Sequence, residues 1–229
     1  MIPALLTKMP IMKDYYLNNK VINIKDSIKY LGIKIDKQLS FKEHIVETCK
    51  KAQTVLNMIR RNLYFAPRKV KEKACIATVR PILEFASICW TPNCLNLKNK
   101  LEIVQNNCAK FVANSYPKKG QYENFSITKI LESLGWDTLE KRRNQARLLM
   151  AYKILNNHMI LTPDYLPKKR PTHQTRKNTN QDSKLEERVS RLVTTQKTFF
   201  YSVPTLWNSS VTRMQALATS IDAFKKHFS

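Results

Sequence analysis

The stretch "SIKYLGIKIDKQLSFKEHI", Ser27 to Ile45, is where the chain changes its repeat. Ile28, Tyr30, Ile33 and Ile35 are β-branched or aromatic and sit among Lys29, Lys34 and Asp36, the composition of a short strand. Ser40 then precedes Phe41, with Glu43 three residues on, the spacing of a capping box in which hydroxyl and carboxylate close a helix start. From Phe41 the apolar repeat follows the helical period. Phe41, Ile45, Cys49, Ala52, Leu56, Ile59 and Leu63 fall within roughly 80° of one another on a helical wheel, with Lys50, Thr54, Asn57 and Arg61 opposite. A two-stranded hairpin is marginal alone in water, so these strands need a larger body to join.

Working outward, "DYYLNNKVINI" reads as a second strand-like piece that turns back at Asn18-Asn19, where left-handed backbone is tolerated. Downstream the pattern is helical. Pro67 suits the first position of a second helix, and Pro81 is expected to kink it before Ile82, Leu83, Phe85, Ala86 and Trp90. Leu97, Leu101, Val104, Cys108, Phe111 and Val112 define a third helix. A fourth runs from Ser126 to a Gly135 cap, and Asp137 with Glu140 opens a fifth that reaches about Asn156. Residues 168–184, "KKRPTHQTRKNTNQDSK", hold no large apolar side chain and read as a mobile linker. "KTFFYSVPTLWN" reads as strand-like, and "SIDAFKKHF" as a short amphipathic helix. The fold class expected is mainly α: an N-terminal β-hairpin, a helical bundle and a small aromatic C-terminal segment.

The chain has 229 residues, three glycines and a formal net charge of +23. Few glycines disfavour all-β folds and phosphate loops, which use glycine at tight turns. The charge points to a polyanionic partner, nucleic acid first. Cys49, Cys75, Cys89, Cys94 and Cys108 have no C-x-x-C spacing and read as buried reduced thiols rather than zinc ligands. "MIPALLTKMPIM" lacks the features of a secretory signal, and no apolar run is long enough to span a bilayer.

Catalytic constellations do not assemble from the sequence. No two of the seven aspartates are adjacent, and neither glycine-rich phosphate motif occurs. His44, His158, His173 and His227 are scattered over different elements, and His44 beside an apolar stripe reads as a packing residue.

The order of motifs does carry a resemblance. "YLGIKIDKQLSFKEHI", "KKAQTVLNMIRRNL", "VRPILEFASICWTP", "LEIVQNNCAKFV", "LGWDTLEKRRNQARLLMAYKILNN" and "FFYSVPTLWNSS" together resemble the C-terminal part of reverse transcriptases of jockey-like non-LTR retrotransposons, over about residues 14–226. The resemblance implies a leader outside the family at 1–13, a palm-edge hairpin at 14–39, a helical thumb-like domain at 40–160, a basic linker at 161–196 and a C-terminal extension at 197–229. The parent activity it implies is RNA-directed DNA synthesis with Mg. The family's metal-binding aspartates lie upstream of this region, so no catalytic or metal-binding residue carries over. Asp26 and Asp36 are read as strand-end or turn residues. The chain is therefore expected to be a truncated polymerase without activity of its own and without a cofactor, lodged in the nucleus and cytoplasm.

What a thumb retains is grip on a template–primer duplex through its phosphates, which any sequence presents alike. The candidates are Lys50, Lys51, Arg60 and Arg61 on the first thumb helix and Arg68, Lys69, Lys71 and Lys73 on the second. Lys141, Arg142 and Arg143 form a further basic cluster, and Lys168, Lys169, Arg170, Arg176 and Lys177 another in the linker. The alternatives are a protein–protein interaction module, or the translated remnant of a mobile element with no function.

Overall fold

A computed structural model describes residues 15–21, 23, 25–92, 94–116, 126–159, 184–188, 190–191, 198–212 and 218–226. The fold is mainly helical, with small hairpins at the N-terminal end, as the periodicities predict. The leader and most of the basic linker lie outside the described residues.

There are two hairpins rather than one. Strands β1 (Tyr16–Leu17) and β2 (Lys20–Val21) pair antiparallel around Asn18 and Asn19, both at positive φ, as expected of that dipeptide. The run from Ser27, read as a single short strand, is itself folded: β3 (Ser27–Tyr30) returns as β4 (Ile33–Asp36) through Leu31 and Gly32. Gly32 has φ 87°, a conformation that a residue with Cβ rarely adopts. The two hairpins form separate two-stranded sheets. Only Ile33 of these strands is buried.

Helix α1 (Lys42–Asn62) carries the stripe read from the sequence, with Ile45, Ala52, Leu56 and Ile59 buried. Its start is not the expected capping box. Phe41 is left-handed, φ 54°, and no side chain caps the helix. The Asp36 carboxylate accepts from the backbone N–H of Ser40 and of Phe41, both at 2.9 Å, and from the Ser40 hydroxyl at 2.8 Å. Glu43 turns away to pair with Lys34. One carboxylate thus ties β4 to α1 and holds a backbone that would otherwise cost on the order of 1 kcal/mol.

Helix α2 (Arg68–Ala74) follows Pro67 and runs into a wide turn, Cys75–Val79, in which the Arg80 N–H bonds the Cys75 carbonyl five residues back. Pro81 sits in the first turn of α3 (Arg80–Glu84). A proline ring clashes with the carbonyl four residues before it, so the expected kink is realised as this local widening. The helix stops at Glu84, earlier than the apolar pattern suggests. Ala86 adopts φ 50°, and Trp90 folds back, fully buried, donating to the Phe85 carbonyl at 3.0 Å.

Helix α4 (Leu95–Ala113) is the hub of the first core, which gathers α1, the wide turn, α3 and α5 (Ile127–Leu134) around Leu56, Leu83, Trp90, Leu101 and Val112. Truncating one such buried leucine costs about 2–5 kcal/mol. Ser126 and left-handed Gly135 cap α5 as predicted. Helix α6 (Leu139–Leu155) is capped by Thr138 rather than by Asp137 with Glu140, and its first N–H groups, of Leu139 and Glu140, donate to the Glu102 carboxylate of α4.

The second half of α6 belongs to another core. Tyr152 stacks on Phe224 of α8 (Ile221–Lys226), and Phe224 stacks on Trp207 of α7 (Phe199–Ser210). The segment read as strand-like is thus a helix with Pro204 inside it. Val203, Pro204 and Trp207 are its buried residues, and packing against α6 outweighs the lost hydrogen bond and the β-favouring composition. Leu185, within the span assigned to the linker, is also buried in this core. Its N–H and carbonyl pair with the Asn208 amide at 2.9 and 3.0 Å, as a neighbouring strand would.

Candidate nucleic-acid interface

The eight basic residues named from the sequence divide by burial. Lys71 is only 2 % exposed, and its ammonium donates to the Asn114 side chain at 2.8 Å and lies over the Phe111 ring at 5.0 Å. Asn114 ends α4, so the charge also meets the negative end of that helix. Lys71 is an internal clamp between α2 and α4 and reaches no phosphate, which corrects its place among the candidates. Arg60 is half-buried and donates to the Asn107 carbonyl of α4 at 2.9 Å. It binds α1 to α4 instead of projecting outward. Arg68 remains exposed but spends one donor on the Ser133 carbonyl, in the last turn of α5.

Lys50, Lys51, Arg61, Lys69 and Lys73 are exposed. Among the described residues, no hydrogen bond or ion pair engages their side chains. Lys50 and Arg61 share one face of α1, eleven residues or about 16 Å apart along the axis. That is close to half a turn of a nucleic-acid duplex, which repeats every ~34 Å. Between them the surface is neutral and polar. Gln53 donates to Asn57 at 2.9 Å, and Asn107 donates to Gln53 at 3.4 Å.

This face continues onto α4. A groove of about 590 Å³ between the two helices is lined by Lys50, Gln53, Asn57 and, from α4, Lys100 and Ile103. Lys100 is a basic residue that the sequence reading missed. It is 50 positions from Lys50, and only the packing of α1 on α4 brings the two together. Glu102, the one acid on α4, is turned toward the start of α6, so the groove carries no carboxylate.

A second omission lies at the junction of α1 and α2. Phe65 is 95 % exposed and packs edge-on against Tyr64, which is also exposed. The pair stands between Arg61 and Lys69 in the sequence, so two aromatic faces border the basic surface. An isolated "LYFAP" in a helical protein reads as interior, and exposure is what distinguishes it.

Of the second basic cluster, Lys141 pairs with Asp137, Arg142 with Glu84, and Arg143 is buried with Glu102 at 4.0 Å. That cluster knits α3, α4 and α6 together. The linker cluster from Lys168 to Lys177 lies outside the described residues.

Electrostatics at the hairpin are also structural. Asp26 pairs with Lys37, and Lys34 with Glu47 and Glu43. Burial opposes ionisation of Asp36, but the hydrogen bonds from Ser40 and Phe41 outweigh it and hold the carboxyl below its ordinary value. His44 is buried edge-on against Trp90, and its imidazole is pushed down, chiefly by burial. Among the described residues, no three His, Cys, Asp or Glu side chains converge to hold a metal. Asp26 and Asp36 are engaged elsewhere and do not fit the carboxylate pair of a two-metal polymerase. The thiols divide too: Cys75 and Cys108 are buried and Cys49 partly so, whereas Cys89 and Cys94 are exposed, contrary to expectation. No described helix is long and apolar enough to cross a membrane.

No family model, curated protein or solved structure matches the chain.

Proposed function

We propose that this chain is the thumb-like segment of a jockey-type non-LTR reverse transcriptase, and that it holds a nucleic-acid duplex by its phosphates. The observation that carries the reading is the acid-free face of α1 and α4, where Lys50, Arg61 and Lys100 project over neutral amides. A row of uncommitted cations suits a partner that must be gripped without regard to sequence. Lys51, Lys69 and Lys73 extend the positive surface, and the Tyr64–Phe65 pair offers a platform for an unpaired or terminal base. The motif order quoted from the sequence supports the family, and the exposed basic surface supports the duplex-binding activity. Nucleotidyl transfer is not part of the proposal, because the carboxylates at the palm edge are taken up in turns.

The test is a titration of the full chain against a fluorescent DNA–RNA hybrid at a series of salt concentrations. The reading expects the logarithm of affinity to fall linearly with that of salt, at about −0.9 per phosphate neutralised on B-DNA, giving roughly −4 to −6 in all. It also expects similar affinities for unrelated sequences. A slope near zero would sink it and favour a protein partner.

A further inference from the structure

Arg147 sits in the middle of α6 and is only 6 % exposed. A buried guanidinium is normally matched by a carboxylate. Here, among the described residues, no carboxylate lies within ion-pair distance. One terminal nitrogen donates to the Ser202 hydroxyl of α7, and the Nε has no partner. Burial alone acts on its proton affinity, pushing its pKa down to about 10, so the side chain stays a cation at neutral pH.

The charge faces a cavity. A space of about 590 Å³ between α6, α7 and the Glu187–Arg188 segment has Arg147, Glu187, Arg188, Tyr201, Ser202 and Thr205 in its lining. The volume lies in the range of small-ligand sites. Its lining is rich in hydroxyl and N–H donors. Ser202 is held by its own bond to the Thr198 carbonyl at 2.7 Å, so its oxygen is a fixed acceptor for Arg147. Glu187 is held by the Asn208 amide at 2.9 Å and offers an acceptor away from the cation.

We propose that this cavity binds a small phosphorylated molecule, its phosphoryl group on Arg147 and its hydroxyl-bearing part toward Glu187. A phosphate group against the guanidinium compensates a charge that the fold leaves unmatched. Thr205 adds a hydroxyl donor, and the Glu187 carboxylate can accept from a sugar hydroxyl. The site lies on α6 and α7, away from Lys50 and Arg61, and does not rest on the duplex reading.

The experiment is thermal unfolding of the full chain at constant ionic strength, titrated with inorganic phosphate, adenosine 5′-monophosphate or adenosine. Binding to the folded state raises Tm with concentration. The expected result is a rise with phosphate and a larger one with the monophosphate, and none with adenosine. Phosphate alone giving the rise would identify the free anion as the ligand and still support the site. Arg147→Met should weaken the response at least tenfold. Thr205→Val, which keeps the volume, should weaken it several-fold should the first variant fold poorly. Arg61→Gln should leave it intact while altering duplex binding. No rise up to tens of millimolar would overturn the proposal, as would a rise that survives both cavity substitutions, since that locates the anion on the basic surface.

Discussion

Lys71 and Asn114 are joined across 2.8 Å, a buried ammonium from α2 donating to the exposed amide that ends α4. The pair inverts the ordinary expectation for a lysine in a basic run. Lys71→Ala should destabilise the chain by about 2–4 kcal/mol, through lost packing of the buried stem and loss of the charged hydrogen bond to Asn114. Its duplex-binding slope should stay at the wild-type value. Urea midpoints and salt titrations read the two effects separately, and a weaker binder of normal stability would contradict the burial.

Arg60 and Arg61 are neighbours with different work. Arg61→Gln should reduce the salt slope by about 0.9 and lower affinity for all duplexes alike. Arg60→Gln should leave the slope alone and cost about 1.5–3 kcal/mol of stability, the worth of a charged hydrogen bond to the Asn107 carbonyl. Anisotropy and denaturant melts on the two single variants decide between them.

Asp36, not Ser40, fastens the start of α1. Asp36→Asn should lower stability by about 1–2 kcal/mol, because it weakens three hydrogen bonds at once. Ser40→Ala should cost less than the ~1 kcal/mol that a capping hydroxyl contributes. The order of the two chemical-denaturation midpoints is the test, and the reverse order would restore the capping box.

His44 predicts a mildly acidic weakening. Its folded pKa lies below the ordinary 6.5, so the unfolded chain binds the proton more readily. The stability that this residue contributes is complete above pH 6.5 and declines as pH falls below it. Asp36, whose carboxyl is also held down, gives its own loss only near and below pH 3.8, so the two windows separate. Thermal melts from pH 7.5 to 5 should show the decline, and His44→Asn should flatten it.

Thiol chemistry offers an independent check on the packing. Two cysteines, Cys89 and Cys94, should react rapidly with a disulfide reagent at pH 8. Cys49, its thiol pushed up to about 11 by burial, has only about one part in a thousand as thiolate there and should react slowly. Cys75 and Cys108 should wait for unfolding. Three or more fast thiols would show that the first core is looser than described.

How much of this was open to a reader of the sequence depends on range. The stripe of α1, the caps of α5 and the Asn18-Asn19 turn are decided by residues within a few positions of one another, and they were readable. The Phe199–Ser210 segment was not: its aromatic and β-branched residues favour a strand, and the stack of Tyr152, Phe224 and Trp207 that makes it a helix spans 73 positions. The basic surface fails the same way. Counting charge finds Lys71 and Lys73 alike, though one is sealed and the other exposed, and it cannot see Lys100 arrive beside Lys50.

The wide turn at Cys75–Val79 uncouples chain length from core register. Cys75, Val79 and Leu83 are spaced four and four and all are buried. The wide turn holds one residue more than a regular turn, because its hydrogen bond from the Arg80 N–H reaches back five positions rather than four. The surplus residue sits among Ile76, Ala77 and Thr78, all exposed. Losing one of them would let the coil relax to ordinary pitch with Leu83 still facing inward. The same one-residue loss in α1 or α4 would swing everything beyond it by about 100°. Length variation among related chains should therefore concentrate at this turn and be scarce in the two long helices.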